Sequence, residues 1–213
     1  MVERPVVHIV DDDIELAASI AQVVRLVKLD AITYPSANDF LSKYQPGQPG
    51  CLVTDIRMPG MSGPELQEHL DAKGDLLPVI IISGCADVST AVRAMKAGAR
   101  EVFEKGGSMH SLLEAIQKAV QEDVERRGAE SEYSDTRLRF DGLSPREREV
   151  LFNMLEGKTN KAIAQVLGIS ANTVEIHRAR VMEKMGAESL ASLVKACVYA
   201  GLDKKSKNLE KTS

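Results

Sequence analysis

The sequence predicts an α/β domain built on a five-stranded, doubly wound parallel sheet, followed by a small all-α domain of four helices. Over the first 123 residues, short apolar runs alternate with segments of helical periodicity, and parallel strands need such crossover helices between them. From Leu143 onward the apolar residues recur only at helical spacing. A chain of 213 residues has room for two ordinary domains of these kinds.

The strands of the first domain are predicted at five short apolar runs. In chain order they are Val6–Val10, Ala31–Tyr34, Cys51–Thr54, Val79–Ile82 and Glu101–Phe103. Helical periods separate these runs, and two of the helices are predicted to start at Ser36 and Ser62. At each start a serine oxygen can cap the helix, and an acid follows three residues later.

A change of composition after Val120 marks the boundary between the domains. The stretch from Glu122 to Asp141 is charged, and we predict that its first part extends the last helix and that the rest is linker. The predicted bounds are 1–123 for the α/β domain, 124–141 for the helical extension and linker, 142–204 for the all-α domain and 205–213 for a disordered tail.

The second domain has its own start signal. Ser144-Pro145-Arg146-Glu147 forms a capping box with proline at the first helical position. The apolar periodicity after it predicts four helices, at Pro145–Glu156, Asn160–Leu167, about Ala171–Met185, and Leu190–Ala200.

Charge is divided unevenly along the chain. Residues 1–123 carry 11 basic and 18 acidic residues, a net charge of −7, whereas residues 124–213 carry 16 and 13, a net charge of +3. A mildly basic second domain suits a nucleic-acid partner. No apolar run approaches the roughly 20 residues that span a membrane. The start lacks the pattern of a secretory signal, and the three cysteines form no CxxC pair. We therefore expect a cytoplasmic protein with no membrane partner.

Polar or charged residues follow four of the predicted strands. Asp11 and Asp12 come after the first strand, Asp55 after the third, Ser83 after the fourth and Lys105 after the fifth. Any one of these residues can be a polar side chain where a loop begins. The ordered set favours a ligand site, because the carboxyl ends of parallel strands meet at one edge. Carboxylates bind Mg²⁺, an aspartate can become an aspartyl phosphate, and a hydroxyl and an ammonium can bind phosphoryl oxygens.

Over residues 6–120 these motifs resemble the CheY-like receiver domain of two-component response regulators. The resemblance implies that Asp55 accepts a phosphoryl group from a sensor histidine kinase and that Ser83 and Lys105 sense that group. It also implies a Mg²⁺ site made by Asp11, Asp12, Asp55 and the backbone carbonyl of Arg57.

Two positions depart from the receiver pattern. Gly106 follows the lysine where the family usually has proline, and Val102 stands where the family usually has an aromatic residue. Phe103 is one place away, which on a strand means the opposite face. We expect these changes to weaken the phosphorylation switch, and we expect Val102→Tyr together with Gly106→Pro to strengthen it.

A helix-turn-helix is predicted in the second domain. Asn160–Leu167 is followed by Gly168-Ile169-Ser170, which suits a turn and a helix cap, and then by a helix from Ala171. Val174, His177, Val181 and Met185 share the face of that helix that is expected to pack inward. The expected DNA contacts lie on the outer face and at the start of the preceding helix: Thr159, Lys161, Asn172, Thr173, Glu175, Ile176, Arg178, Ala179 and Arg180. A helical protein–protein module is the alternative, since acids on that face repel DNA.

The segment Leu143–Leu151, with Asn160-Lys161 and Thr173–His177, closely resembles the LuxR-type helix-turn-helix. With the receiver in front, the whole chain resembles the FixJ/NarL subfamily of response regulators. That resemblance implies binding to double-stranded promoter DNA, RNA polymerase as a partner, and a homodimer on activation. The implied dimer surfaces include the helix Val88–Ala97 and the strand Glu101–Glu104.

The sequence thus predicts a phosphorylation-controlled transcription factor that is no enzyme beyond accepting and slowly losing its own phosphoryl group. One alternative is a regulator that binds DNA independently of phosphorylation. The other is an aspartate-based Mg²⁺ phosphatase of the haloacid-dehalogenase type. Those enzymes carry a second acid two residues after the nucleophile, where this chain has Arg57.

Overall fold

The computed structural model describes residues 4–84, 95 and 98–202. The chain divides into two compact units, Met1–Arg127 and Gly128–Ser213, so the division falls four residues after the predicted end of the first domain. The predicted helix Val88–Ala97 and the predicted tail at 205–213 lie outside the described residues, apart from Met95. No helix among the described residues is long and apolar enough to cross a membrane.

The first unit is the predicted α/β fold. Its strands are all parallel and lie in the order β2-β1-β3-β4-β5, the order of a doubly wound sheet. Each strand lies within a residue of its predicted bounds: β1 Val6–Val10, β2 Asp30–Tyr34, β3 Gly50–Asp55, β4 Val79–Ser83 and β5 Glu101–Glu104. The first three helices described in this unit are α1 Ile14–Leu26, α2 Ala37–Lys43 and α3 Gly63–Ala72.

The two faces of the sheet are both covered, which is why the central strands β1, β3 and β4 are buried at every position rather than at alternate positions. Ile9 and Val53 pack on one face with Ile20 of α1 and Ile116. Residues such as Leu52 pack on the other face with helices α2 and α3. Ser36 and Ser62 cap α2 and α3 as predicted, each accepting a hydrogen bond from the backbone N–H of the acid three residues later.

One prediction about the chain between the units is wrong. Helix α4 runs without a break over Met109–Asp141, so the part of 124–141 that was predicted to be linker is helical. The charged composition that indicated a linker is also that of a solvated helix rich in glutamate and arginine, and both residues favour helix. Asp123 accepts hydrogen bonds from Gly50 and Arg127, and Phe140 near the end of the helix contacts the ring of Phe152, so both ends of this second half are fixed by side-chain contacts.

The second unit contains the predicted four helices, α5 Pro145–Leu155, α6 Asn160–Leu167, α7 Ala171–Met185 and α8 Leu190–Tyr199. Ser144 and Glu147 form the predicted capping box at the start of α5. The core of the unit includes Val150, Ile163, Val181 and Leu193, one from each helix and all fully buried. The predicted fold class, α/β followed by all-α, is confirmed.

Candidate functional site

The polar residues predicted to converge lie together at the carboxyl edge of the sheet. Asp11 directly follows β1, and its backbone N–H donates to the Tyr34 carbonyl oxygen at 3.1 Å, which continues the pairing with β2. Asp55 and Ser83 are the last residues of β3 and β4. Lys105 follows β5, and its backbone N–H donates to the Ser83 carbonyl oxygen at 2.7 Å. Strand pairing alone therefore aligns the four groups.

The Lys105 ammonium links the two buried carboxylates of this edge. Its Nζ lies 3.0 Å from Asp11 Oδ1 and 2.9 Å from Asp55 Oδ2. Asp11 is completely buried, and that burial raises the pKa of its carboxyl above the usual range. Burial also acts to lower the pKa of Lys105, but the hydrogen bonds and charges of Asp55 and Asp11 outweigh it and raise that pKa. The ammonium is therefore held charged between the two acids.

The acids of this edge fit a divalent cation. Carboxylate oxygens of Asp11, Asp12 and Asp55 lie within 4.8 Å of one another. The buried Oδ2 of Asp11 accepts no well-aligned hydrogen bond from the described residues, although it lies 3.0 Å from Lys105 Nζ. An oxygen-only set with one exposed member matches the preference of Mg²⁺, which takes oxygen ligands and keeps several waters. Arg57, the predicted carbonyl ligand, is exposed two residues beyond β3.

Gly63 shapes this edge, although the sequence indicated only that it lies at a helix start. A Cβ added at Gly63 would lie 2.4 Å from the Asp55 carbonyl oxygen and 2.9 Å from Thr54 Cγ2. Only glycine permits helix α3 to begin so close to the end of β3. The signal in the sequence was the glycine at the first helical position, between the capping Ser62 and Pro64.

Val102 and Gly106, the two residues that depart from the receiver pattern, lie in different local structures. Val102 packs with the apolar cluster that includes Ile81, and Phe103 packs with the cluster on the other face of the sheet, as the strand period predicts. Gly106 has φ +83°, whereas proline requires φ near −65°. The loop after Lys105 thus takes a path that proline cannot follow, so Gly106→Pro would have to change that path. The expected effect of Val102→Tyr together with Gly106→Pro on the switch stays a prediction.

The second unit contains the predicted helix-turn-helix. Helix α6 ends at Gly168, whose φ of +67° is left-handed, and helix α7 begins after Ser170, whose hydroxyl accepts from the Thr173 N–H at 3.1 Å. On α7, Val174, Val181 and Met185 are buried as predicted, and His177 on the same face is partly buried. The predicted inward face is thus the one that packs.

The residues predicted to contact DNA are largely accessible. The exposed residues are Thr159, Lys161, Asn172, Glu175, Ile176, Ala179 and Arg180, whereas Thr173 and Arg178 are partly buried. Two hydroxyls also have structural roles: Thr159 caps α6, and Thr173 lies 2.8 Å from the Ser170 hydroxyl. Ile176 keeps 48% of its surface exposed, so an apolar side chain lies on the outer face of α7.

Three polar contacts hold the helix-turn-helix in place, and the sequence did not reveal them. Lys184 at the end of α7 donates to Glu147 Oε2 at 2.7 Å, and this bond, with one from the Ser144 N–H, lowers the pKa of Glu147 to about 2. Arg139 donates to the Met185 carbonyl oxygen at 3.2 Å, at the end of α7. Arg146 donates to the Leu167 carbonyl oxygen at 2.6 Å, at the end of α6. Carbonyl groups left open at two helix ends are thereby satisfied.

Comparison with known protein families assigns both units. Residues 7–117 match the response regulator receiver domain, and residues 141–197 match the luxR family of bacterial regulatory proteins. The acidic edge of the sheet therefore belongs to a receiver domain, a class that uses Mg²⁺ at such a site. The exposed helix α7 belongs to a DNA-binding domain.

Similar proteins match this chain over most of their length. The transcriptional regulatory protein FixJ of Azorhizobium caulinodans is 41% identical over 202 residues, 95% of this chain and 96% of that protein. The response regulator protein TodT of Pseudomonas putida is 37% identical over 89% of this chain and 84% of that protein. The solved structure of the response regulator StyR has a TM-score of 0.79 at 41% identity, covering 91% of this chain and 98% of that one. Full-length FixJ from B. japonicum has a TM-score of 0.56 at 33% identity, covering 94% and 98%.

The fold and its two sites define a receiver joined to a DNA-binding unit. The chain belongs to the response regulator family, in the group that carries a LuxR-type DNA-binding domain. It is a phosphorylation-controlled transcriptional regulator of a two-component system, with a sensor kinase and DNA as partners. The family is one of DNA-binding regulators and not of classical enzymes.

Proposed function

We propose that Asp55 is the phosphoryl acceptor of this regulator. Its carboxylate is almost completely buried at the end of β3, and Lys105 Nζ lies 2.9 Å from its Oδ2. An Asp55 oxygen forms a bond to phosphorus while the bond between phosphorus and a histidine nitrogen of the sensor kinase breaks. Transfer to a fixed carboxylate needs cations around the site, because the phosphoryl oxygens are negatively charged.

The other residues at this edge of the sheet would bind Mg²⁺ or contact the phosphoryl group. Asp11, Asp12, Asp55 and the Arg57 carbonyl would hold Mg²⁺, which supplies positive charge to the phosphoryl oxygens when it is bound. Lys105 now bridges Asp11 and Asp55, and it is positioned to exchange its bond to Asp55 for one to a phosphoryl oxygen. The Ser83 hydroxyl is the second sensing group, supported by its place at the end of the adjacent strand.

The output that we propose is promoter binding by helix α7 and the start of α6. Asn172, Glu175, Ile176, Ala179 and Arg180 would reach base edges in the major groove, and Thr159, Lys161, Thr173 and Arg178 would contact the phosphate backbone. The exposure of the first group opposite the buried Val174 and Val181 supports this division. We further propose a homodimer on activation, contact with RNA polymerase, a cytoplasmic location, and no catalysis beyond turnover of the chain's own phosphoryl group.

Phosphorylation by a small donor tests the acceptor. The chain is incubated with acetyl phosphate and Mg²⁺, and intact mass is measured. We expect one added phosphoryl group in the unmodified chain and none in Asp55→Asn. Asp13→Asn is the matched control, because Asp13 is an exposed neighbour that caps α1 and asparagine caps equally well.

The control should still gain one phosphoryl group. Undiminished labelling of Asp55→Asn would refute the assignment of the acceptor. No labelling of the unmodified chain would favour the alternative of a regulator that acts independently of phosphorylation.

A further inference from the structure

The acidic side chains of the second unit differ in whether they form an ion pair. Between Asp141 and Leu202 there are seven carboxylates, and four lie within 4 Å of a basic group: Asp141 of Arg148, Glu147 of Lys184, Glu149 of Arg146, and Glu156 of Lys158. Within the part of the chain that the structure describes, Glu175, Glu183 and Glu188 have no such ion pair. Two of these three, Glu175 and Glu183, lie on helix α7.

The two unpaired acids of α7 differ in their position along the helix. Glu175 is the fifth residue of α7, three residues after Asn172 and four before Ala179, and all three are exposed on one face. Glu183 lies eight residues further on, roughly 12 Å along the axis at 1.5 Å per residue. Helix-turn-helix proteins place the N-terminal residues of the second helix against base edges. Glu175 therefore lies where a side chain can contact base edges, and Glu183 does not.

An unpaired carboxylate in that position is costly unless a base offsets its charge. DNA phosphates repel it, and no cation among the described residues neutralises it. The major-groove edge of guanine has two acceptors, thymine has an acceptor and a methyl group, and adenine has an acceptor beside its amino group. Cytosine alone has a donor, its N4 amino group, with no acceptor on the same edge.

We propose that Glu175 is a specificity-determining residue that accepts a hydrogen bond from the N4 amino group of a cytosine in the operator. The proposal rests on the proposed promoter binding by α7 and adds the identity of one base. The carboxylate would also act against the wrong bases, because its charge is repelled by the acceptors that guanine and thymine present. Glu175 thus lowers the affinity for DNA in general and raises the preference for one sequence.

Binding-site selection from a pool of random duplex DNA tests the proposal. The full chain is used with Mg²⁺ and acetyl phosphate, beside Glu175→Ala, Glu175→Gln and Glu183→Gln. For the unmodified chain we expect cytosine at one fixed position of each half-site. Glu175→Ala should lose that preference, bind the selected site about tenfold more weakly and bind unrelated DNA more tightly. Glu175→Gln should admit adenine at the same position, because an amide both donates and accepts.

Glu183→Gln is the matched control, since it removes an exposed, unpaired acid from the same helix. It should raise affinity for all sequences alike and leave the cytosine preference intact. A strict cytosine preference that survives in either Glu175 variant, or one that is lost in Glu183→Gln, would overturn the inference. If the unmodified chain enriched no sequence at all, the proposed promoter binding would fail together with it.

Discussion

Asp123 offers the sharpest test of how helix α4 is attached to the receiver unit. Its side chain is fully buried, accepts the Gly50 N–H at 2.9 Å and the Arg127 Nε–H at 2.7 Å, and also pairs with Arg126. Arg127 in turn lies 3.5 Å from Asp75, and Arg126 donates to the Leu76 carbonyl oxygen. The Asp123 carboxylate thus connects α4 to the start of β3, and the two arginines that it binds connect α4 to the segment before β4.

Asp123→Ala should destabilise the first unit by about 3 kcal/mol. Loss of the acceptor leaves the buried Gly50 N–H unsatisfied, which costs about 1–3 kcal/mol. Breaking a buried ion pair costs about 3–5 kcal/mol, but the Arg127 side chain is 20% exposed and regains some hydration. We therefore place the total at the lower end of that range. With a urea m-value of about 2 kcal/mol/M, the midpoint should fall by about 1.5 M.

The measurement is urea unfolding of the full chain, followed by circular dichroism, with the transition of the first unit fitted separately. Glu125→Ala is the control, because Glu125 is an exposed acid on the same helix that accepts a hydrogen bond from Gln121 on the surface. It should shift the midpoint by less than about 0.3 M. Equal midpoints for the two variants would show that the attachment does not depend on the Asp123 carboxylate.

Three further results are expected. Val102→Tyr alone should widen the ratio of DNA affinities with and without phosphorylation, and an unchanged ratio would show that this position does not limit the switch. Arg180→Ala should cost roughly 1–3 kcal/mol on the selected site and relax its sequence preference, whereas Lys161→Ala should weaken all sequences alike and reduce the salt dependence by about one unit. Because the folded pKa of Glu147 is lowered to about 2 from 4.5, its contribution is present above pH 4.5 and is lost as pH falls toward 2. Lys184→Met should therefore lower the stability of the second unit at pH 7 by about 0.5–1 kcal/mol and flatten its loss over that pH range.

The elements were predictable because local signals agree with the overall fold. The strands could be located as short apolar runs, and the starts of α2, α3 and α5 were marked by a serine cap with an acid three residues later. The position of the acidic edge followed as well, because parallel strands necessarily bring their carboxyl ends to one side. These features depend on neighbours in sequence or on a general rule of topology.

The features that the sequence did not reveal depend on partners far apart in the chain. Asp123 bonds to Gly50, which is 73 residues away in the chain, and Lys184 bonds to Glu147, which is 37 residues away. From its neighbours in sequence alone, each would be predicted to be an exposed charge on a helix. The continuity of α4 was missed for the same reason, since a charged stretch is compatible with linker or helix until its ends are anchored. The conformation of Gly106 could not be predicted, because the sign of φ at a glycine is not encoded in its identity.

DNA affinity with and without phosphorylation tests the central claim most directly. Binding of the full chain to its selected site is measured by fluorescence anisotropy in Mg²⁺, before and after treatment with acetyl phosphate, for the unmodified chain and for Asp55→Asn. We predict that treatment tightens binding by the unmodified chain about tenfold, or about 1.4 kcal/mol, and leaves Asp55→Asn unchanged. An unchanged affinity in the unmodified chain, or an equal gain in Asp55→Asn, would contradict control of DNA binding through Asp55.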